Sequence, residues 1–159
     1  MNEVRLINLR IDEASRISSL MPDYLAEMGN YVEVPRDAEG EMTYPYLTHY
    51  WKEPDRFPIL WVTKDTDGGF ALVRRMIDPD SGDAYHCLAE FFVTQPFRRQ
   101  GLGAIVAAKV LNSFRGRWEV SVLKTNLPAQ KFWQRTLTQI CPDLSCNDIG
   151  ASFSYELKL

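Results

Sequence analysis

The apolar positions of the chain change their spacing several times, and each change predicts a new element. Residues 3–9 alternate between apolar and polar and predict an opening strand. Apolar residues then recur at helical spacing from Asp12, which would cap the helix, to Gly29, which would end it. Pro22 is expected to break or kink this helix, and residues 46–51 predict a short second helix.

From Pro58 onward the pattern indicates strands first, and then helices and strands in alternation. Residues 59–63 and 70–77 predict a hairpin with its turn at Asp65–Gly69, and residues 85–93 predict a central, mostly apolar strand. The elements expected after it are a helix over 101–114, a strand over 118–123, a helix over 128–137 and, after a turn-like stretch, a strand over 152–159. This order predicts a mixed sheet with helices packed on it, within the α/β (α+β) class of fold.

Composition narrows the class of protein. The 159 residues are 45% hydrophobic and 25% charged, which suits one folded domain. No apolar run approaches the roughly 18 residues of a membrane span, and the charges near the N-terminus argue against a secretory signal. Three cysteines without a C-x-x-C pair and two histidines without metal-like spacing predict neither a disulfide framework nor a metal site. We therefore expect a cytoplasmic protein with no membrane partner.

Charge is distributed unevenly along the chain. Residues 1–90 carry 9 basic and 17 acidic side chains, whereas residues 91–135 carry 8 basic side chains and one acidic one, Glu119. The net charge of −3 disfavours a strongly basic nucleic-acid binder, and the basic stretch contains no recognisable RNA- or DNA-binding motif. Positive charge concentrated in one stretch nevertheless predicts contact with an anion there.

The densest chemical signal lies between the central strand and the helix that follows it, in the sequence VTQPFRRQGLGA of residues 93–104. Gly101 and Gly103 permit a tight backbone and the close approach of a ligand. The helix that begins there leaves its first N–H groups unpaired and adds the positive end of its dipole. Arg98 and Arg99 add two full charges, so the segment predicts a phosphate site.

Two common phosphate-binding motifs do not fit this segment. A P-loop requires G-x-x-x-x-G-K-[ST], which does not occur. A dinucleotide fingerprint requires G-x-G-x-x-G, and Val106 stands where its third glycine would be. What remains is R-x-x-G-x-G between a strand and a helix.

At residues 98–104 the chain resembles the R/Q-x-x-G-x-G/A loop of the GNAT superfamily of N-acetyltransferases. The sequence NLPAQKFW of residues 126–133 resembles the family's N-x-x-A-x-x-F-Y segment, and residues 90–93 resemble its fourth strand. Residues 58–137 match in order and spacing. The resemblance implies a central mixed, mostly antiparallel sheet of about six or seven strands flanked by about four helices, in a single acetyltransferase domain over residues 1–159.

The resemblance also implies acetyl-CoA as co-substrate, in a V-shaped opening between the fourth and fifth strands. The loop would hold the pyrophosphate, Asn126 the pantetheine arm, and a main-chain N–H of Phe92 or Val93 would polarise the thioester carbonyl. No metal is implied. The predicted cofactor-binding residues are Phe92, Val93, Arg98, Arg99, Gln100, Gly101, Leu102, Gly103, Ala104, Asn126 and Phe132.

Glu90 is the candidate general base, at a position where many family members place an acid that acts through water. An alkyl amine with a pKa near 10.4 is neutral in only about one molecule in 2,500 at pH 7, so a base is useful. The alternative to a base is that the Glu90 carboxylate pairs with a nearby arginine or faces solvent at a strand edge. Trp133 stands where the family often has a tyrosine that protonates the leaving thiolate; Tyr46, Tyr85 or Tyr155 could replace it, or the thiolate could leave unaided.

Tyr44, Tyr46 and Trp51 fall where the family's helices line the acceptor pocket, and they could cradle a cationic substrate. Packing beneath a long loop is the alternative. Eight acids against two arginines between residues 12 and 41 favour a positively charged acceptor. The resemblance thus implies direct transfer of an acetyl group from acetyl-CoA to a primary amine of a small molecule or protein, in an enzyme that could be a homodimer. A non-catalytic acyl-CoA-binding or sensing domain is the alternative, and Trp133 is its support.

Overall fold

The structure is a computed structural model and describes residues 3–159, so residues 1 and 2 of the predicted domain lie outside the described residues. Within residues 3–159 the sheet has seven strands, which are β1 (Val4–Asn8), β2 (Arg56–Thr63), β3 (Thr66–Ile77), β4 (Ala84–Val93), β5 (Arg117–Leu123), β6 (Ser145–Ile149) and β7 (Ser152–Lys158). Their order across the sheet is β1-β2-β3-β4-β5-β7-β6, and all neighbouring strands are antiparallel except β4 and β5, which are parallel. The predicted mixed, mostly antiparallel sheet is confirmed.

Helices cover both faces of the sheet. They are α1 (Ser15–Ser18), α2 (Met21–Met28), α3 (His49–Lys52), α4 (Leu102–Asn112) and α5 (Leu127–Ile140). Helices α1 to α3 bury one apolar cluster around Tyr24 and Phe70, and α4 and α5 bury another around Val106 and Trp118. Within residues 3–159, every helix is too short or too polar to cross a membrane.

The N-terminal helical segment is broken into three pieces. A 3₁₀ turn over Ile11–Glu13 precedes α1 and α2, so Asp12 lies inside the turn instead of capping a helix. The predicted break occurs just before Pro22, which occupies the first turn of α2, where its missing N–H breaks no helical bond.

The predicted hairpin forms, but its turn is shorter than expected. Lys64 and Asp65 alone make the turn, with φ angles of 49° and 58°, as in a two-residue type I′ hairpin. Thr66 to Gly69 already belong to β3, where a register shift lies opposite Trp61 and Val62. The glycines that suggested a longer turn serve packing against the Trp61 ring.

Strand β6 was not predicted. All five of its side chains are exposed, and among residues 3–159 it pairs only with β7, at the edge of the sheet. Because neither face of β6 is buried, its sequence carries no apolar alternation to reveal it.

Candidate active site

A cleft of about 760 Å³ opens where β4 and β5 separate. The parallel pairing of the two strands extends from His86 opposite Trp118 to Leu88 opposite Val120 and then ends. Beyond that point the gap is bounded by α2 and by the first turns of α4 and α5. Parallel strands that diverge in this way expose backbone groups on both walls of the gap.

A bulge in β4 decides which side chains face each side of the sheet at the cleft. Leu72 lies opposite Glu90 while the adjacent Val73 lies opposite Leu88, so Ala89 is the extra residue. An extra residue reverses the alternation of a strand. Leu88 therefore packs on the α4–α5 side, whereas Phe92 packs on the α1–α3 side. The bulge thereby turns Glu90 towards α2.

Glu90 is half-buried in the cleft beside two tyrosines. The Tyr24 hydroxyl donates a hydrogen bond to Glu90 Oε2, and the Tyr44 hydroxyl faces the same carboxylate. Burial raises the pKa of Glu90, and the two hydroxyls reduce this increase because they stabilise the charged form. None of the ion pairs among the described residues includes Glu90. The alternative of a structural arginine pair therefore finds no support in residues 3–159.

Tyr24 is a site residue that the sequence did not reveal. Its ring packs edge-on against Phe70 and Phe92 at centroid distances of 5.3 and 5.4 Å. Burial, and then the negative charge of Glu90, raise the pKa of Tyr24 well above its usual value, so the hydroxyl stays protonated and donates. In the helical pattern Tyr24 counts as one more apolar position, and only its contact with Glu90 across 66 residues identifies it.

The loop before α4 presents backbone N–H groups to the cleft. Arg99 and Gly101 have φ angles of 60° and 76°, in the left-handed region that glycine favours. The first helical bond of α4 runs from Ile105 N–H to Gly101 C=O at 3.4 Å. The N–H groups of residues 102–104 consequently have no acceptor within the helix. Gly101, Gly103 and Ala104 line the cleft, whereas the Leu102 side chain lies in the core.

The polar side chains of this loop differ in what they contact. Arg98 Nε donates to Val93 C=O at 2.8 Å, and its Nη2 forms an ion pair with Glu27 on α2. Gln100 Nε2 donates to Pro96 C=O at 2.8 Å. Arg99 is exposed beside the cleft and has no protein hydrogen-bond partner within residues 3–159. Of the predicted cofactor-binding side chains in the loop, Arg99 is therefore the one whose donors are all unpaired within residues 3–159.

Of the two residues proposed to polarise a carbonyl, the strand geometry favours Val93. Phe92 C=O accepts from Trp61 Nε1 at 3.1 Å and Thr94 N–H donates to Gly68 C=O at 2.9 Å, so residues 92 and 94 face β3. Because the backbone groups of successive strand residues point to opposite edges, the Val93 N–H faces the gap left by β5.

Helix α5 forms the other wall of the cleft. Asn126 caps it by accepting from Ala129 N–H at 3.1 Å, which leaves the amide NH₂ of Asn126 available to a ligand. Phe132 stacks on Phe91 at 5.9 Å, and Trp133 meets Phe91 edge-on at 5.0 Å with only 7% of its surface exposed. Trp133 thus serves as an apolar wall at the family's tyrosine position.

The residues expected to act as acid or to line an acceptor pocket lie mostly outside the cleft. Tyr46 is 56% exposed on the surface. Tyr85 stacks on Arg117 at 4.3 Å, and Tyr155 is buried on β7. Trp51 packs on the α1–α3 side and donates to a backbone carbonyl, and Tyr44 alone of the three predicted acceptor residues reaches Glu90. Among residues 3–159 no three or more His, Cys, Asp or Glu side chains are grouped as a metal site.

The chain matches one family of proteins over most of its length. A model of the acetyltransferase (GNAT) family matches residues 20–137, so the chain belongs to the GNAT acetyltransferases. No curated protein sequence matches it.

Solved structures show the same fold at low sequence identity. An acetyltransferase from Thermus thermophilus superposes with a TM-score of 0.68 at 20% identity, over 100% of both chains. NAA60 from Arabidopsis thaliana in complex with acetyl-CoA gives 0.63 at 12% identity, over 99% of this chain and 100% of that one. The PaiA N-acetyltransferase from Thermoplasma acidophilum in complex with coenzyme A gives 0.59 at 13% identity, over 99% of both chains.

Proposed function

We propose that this protein is an acetyl-CoA-dependent N-acetyltransferase that acetylates a primary amine by direct attack in a ternary complex. One observation carries the proposal: a single cleft joins the open N-terminus of α4, the Val93 edge of β4 and the carboxylate of Glu90. Two of the structural neighbours, NAA60 and PaiA, were solved with acetyl-CoA and with coenzyme A, which supports the same ligand here. Residues 1–159 would form one acetyltransferase domain.

The residues on the cofactor side fit a polyanionic ligand. The N–H groups of residues 102–104 and the guanidinium of Arg99 would hold the pyrophosphate. The amide of Asn126 would bind the pantetheine arm beside the apolar wall of Phe132 and Trp133. When bound, acetyl-CoA supplies a thioester whose carbonyl carbon the amine attacks.

The residues on the acceptor side supply a base and a hydrogen-bond donor. Glu90 would accept a proton from the amine, directly or through a water molecule, and its raised pKa makes it a stronger base than an exposed carboxylate. Tyr24 would hold the Glu90 carboxylate in one orientation. The Val93 N–H would donate to the oxygen on which negative charge develops.

The leaving thiolate needs no tyrosine in this scheme. Trp133 has no suitable proton, and the hydroxyl of Tyr24 is held by Glu90 with its pKa raised well above the usual value. A thiol has a pKa near 8.5, so the thiolate can leave and take its proton from solvent.

A positively charged amine with an apolar portion suits the acceptor end. The cleft that contains Glu90 is also lined by Met28, at the end of α2, and by Tyr31 and Val32, which follow α2. The ammonium form would be attracted to the carboxylate, and the apolar portion would pack against these side chains.

The test is thiol release from acetyl-CoA in the presence of a panel of primary amines, after calorimetry has established that CoA binds. We expect release that depends on an amine. Tight binding of acetyl-CoA without release for any amine would favour the second candidate, a non-catalytic acyl-CoA-binding or sensing domain. The buried Trp133 in place of a tyrosine is the observation that favours this candidate.

A further inference from the structure

We infer that Trp61 is a positioning residue for the transfer reaction: its indole N–H fixes and polarises the peptide group whose own N–H, that of Val93, faces the cleft. The inference rests on the proposed function, because the Val93 N–H has a chemical role only if a thioester carbonyl lies against it.

The oxygen and the N–H of this peptide group point to opposite edges of β4. The oxygen belongs to Phe92 and accepts a hydrogen bond from Trp61 Nε1 at 3.1 Å. The N–H belongs to Val93 and points into the gap that opens where the β4–β5 pairing ends. Hydrogen bonds in a chain polarise one another, so a donor on the oxygen strengthens the N–H as a donor. Trp61 therefore strengthens the Val93 N–H as a donor in the cleft, although its indole contacts the peptide group at the opposite edge of β4.

The local fold is arranged to admit the Trp61 ring. A Cβ atom on Gly68 would lie 2.2 Å from Trp61 Cζ3, and a Cβ on Gly69 would lie 1.9 Å from the Phe92 oxygen and 2.5 Å from Trp61 Nε1. Only glycine fits at these two positions, although glycine weakens a strand interior. The register of β2 and β3 also shifts beside Trp61. These features let the Trp61 ring lie beside the Phe92 peptide group, where Nε1 reaches the Phe92 oxygen.

The end of β4 is held from the other side as well. Arg98 Nε donates to the Val93 carbonyl at 2.8 Å, and the same guanidinium is anchored to Glu27 on α2. The residue that bears the donor N–H is thus restrained at both of its peptide groups, by Trp61 and by Arg98. This restraint is what a preorganised oxyanion donor requires.

Trp118 provides a matched control. It is fully buried like Trp61, and its Nε1 also donates to a backbone carbonyl, that of Phe114, at 3.0 Å. Phe114, whose carbonyl it contacts, does not line the cleft, whereas Phe92, whose carbonyl Trp61 contacts, does. A purely structural role for Trp61 therefore predicts the same outcome for Trp61→Phe and Trp118→Phe.

The decisive experiment is isotope-edited infrared spectroscopy of acetyl-CoA labelled with ¹³C at its carbonyl, bound to the full-length wild type and to both variants. We expect both variants to unfold at a lower temperature and to keep CoA affinity within about threefold of the wild type. Only Trp61→Phe should move the carbonyl stretch back towards that of free acetyl-CoA and lower kcat by about tenfold to hundredfold. A carbonyl stretch in Trp61→Phe equal to that of the wild type would overturn the inference.

A second measurement needs no variant and so does not depend on the folding of Trp61→Phe. In ¹⁵N NMR of the wild type, acetyl-CoA should shift the Trp61 indole N–H more than CoA does, while the Trp118 indole should not distinguish the two ligands. Equal shifts of Trp61 with both ligands would overturn the inference. Failure of the proposed function has a different signature: the wild type would not bind CoA, or would release no thiol with any amine.

Discussion

The two sides of the cleft are built from different kinds of group. On the proposed cofactor side, the consecutive residues 102–104 have N–H groups without an acceptor in the helix, so this side is encoded in one short motif. On the proposed acceptor side, Tyr24, Tyr44 and Glu90 come from three distant segments and meet through their side chains. A backbone site therefore leaves a local sequence signature, whereas a site of assembled side chains does not. We expect that each side can be impaired without the other.

Replacing Glu90 should have the largest effect and should be confined to the acceptor side. Removal of a general base costs about a hundredfold to ten-thousandfold in rate, so Glu90→Gln should lower kcat by that range. The Kd for CoA, measured by calorimetry, should stay unchanged because Glu90 does not contact the loop before α4. A Glu90→Gln variant with wild-type kcat would show that Glu90 is not the base.

The same variant should be more stable than the wild type at neutral pH. The folded-state pKa of Glu90 is raised, so the folded protein favours the protonated form and loses stability as pH rises through that pKa. Glutamine resembles the protonated form, so Glu90→Gln should unfold at a higher temperature than the wild type at pH 7. The difference should disappear below about pH 4. A lower melting temperature at pH 7 would contradict the sign of the shift.

Gly103→Val should impair the cofactor side. A Cβ at Gly103 would already lie 3.1 Å from Phe132 Cε2 and 3.6 Å from Val93 Cγ2, so a branched side chain must push α4 away or enter the cleft. Overpacking of this kind costs about 1–3 kcal/mol, and we expect CoA affinity to fall by up to about a hundredfold in calorimetry. Ala108→Val, one turn further along α4, is the control, since Ala108 is not among the residues lining the cleft. Equal CoA affinity in Gly103→Val and the wild type would show that the pyrophosphate does not bind at the loop before α4.

Tyr24→Phe tests the positioning of Glu90. Loss of the hydroxyl should raise the pKa of Glu90 further, because the Tyr24 hydrogen bond lowers it in the wild type. The acid limb of the kcat/KM profile should move to higher pH, and kcat at pH 7 should fall by about tenfold. Tyr155→Phe removes a buried tyrosine hydroxyl outside the cleft and serves as the control. If the acid limb of the kcat/KM profile lies at the same pH in Tyr24→Phe and in the wild type, Tyr24 does not position Glu90 for the reaction.

Arg99→Met should have the smallest effect of the series. The Arg99 guanidinium is exposed and has no protein partner within residues 3–159, so its contribution to binding should be electrostatic and screened by salt. We expect the Kd for CoA to rise about fivefold at low ionic strength, with a smaller difference at high salt. A large loss of kcat at saturating acetyl-CoA would contradict the division between the two sides.

The fold was predictable where the apolar pattern is strong. The central strand β4, helices α4 and α5 and the mixed sheet are confirmed, because buried faces impose periodicity on their sequences. Strand β6 was not predicted because both of its faces are exposed, and an exposed strand has no apolar alternation in its sequence. The hairpin turn was placed too late because Gly68 and Gly69 suggested turn chemistry while their role is to admit the Trp61 ring.

The candidate site was predictable only in part for a similar reason. The glycine loop and Asn126 were evident because each depends on local sequence. The contact of Tyr24 with Glu90 depends on a bulge at Ala89 and on tertiary packing, neither of which leaves a pattern in the chain. Arg98, predicted from the loop motif to bind the cofactor, lines the cleft and also contacts Val93 and Glu27, and these two contacts left no pattern in the sequence.

A crystal structure of this protein with acetyl-CoA would locate both ends of the ligand in one experiment. We expect the pyrophosphate at the N–H groups of residues 102–104, the acetyl oxygen at hydrogen-bond distance from the Val93 N–H, and the Glu90 carboxylate on the acceptor side of the acetyl group. Pyrophosphate bound elsewhere, or an acetyl group directed away from Val93 and Glu90, would contradict it.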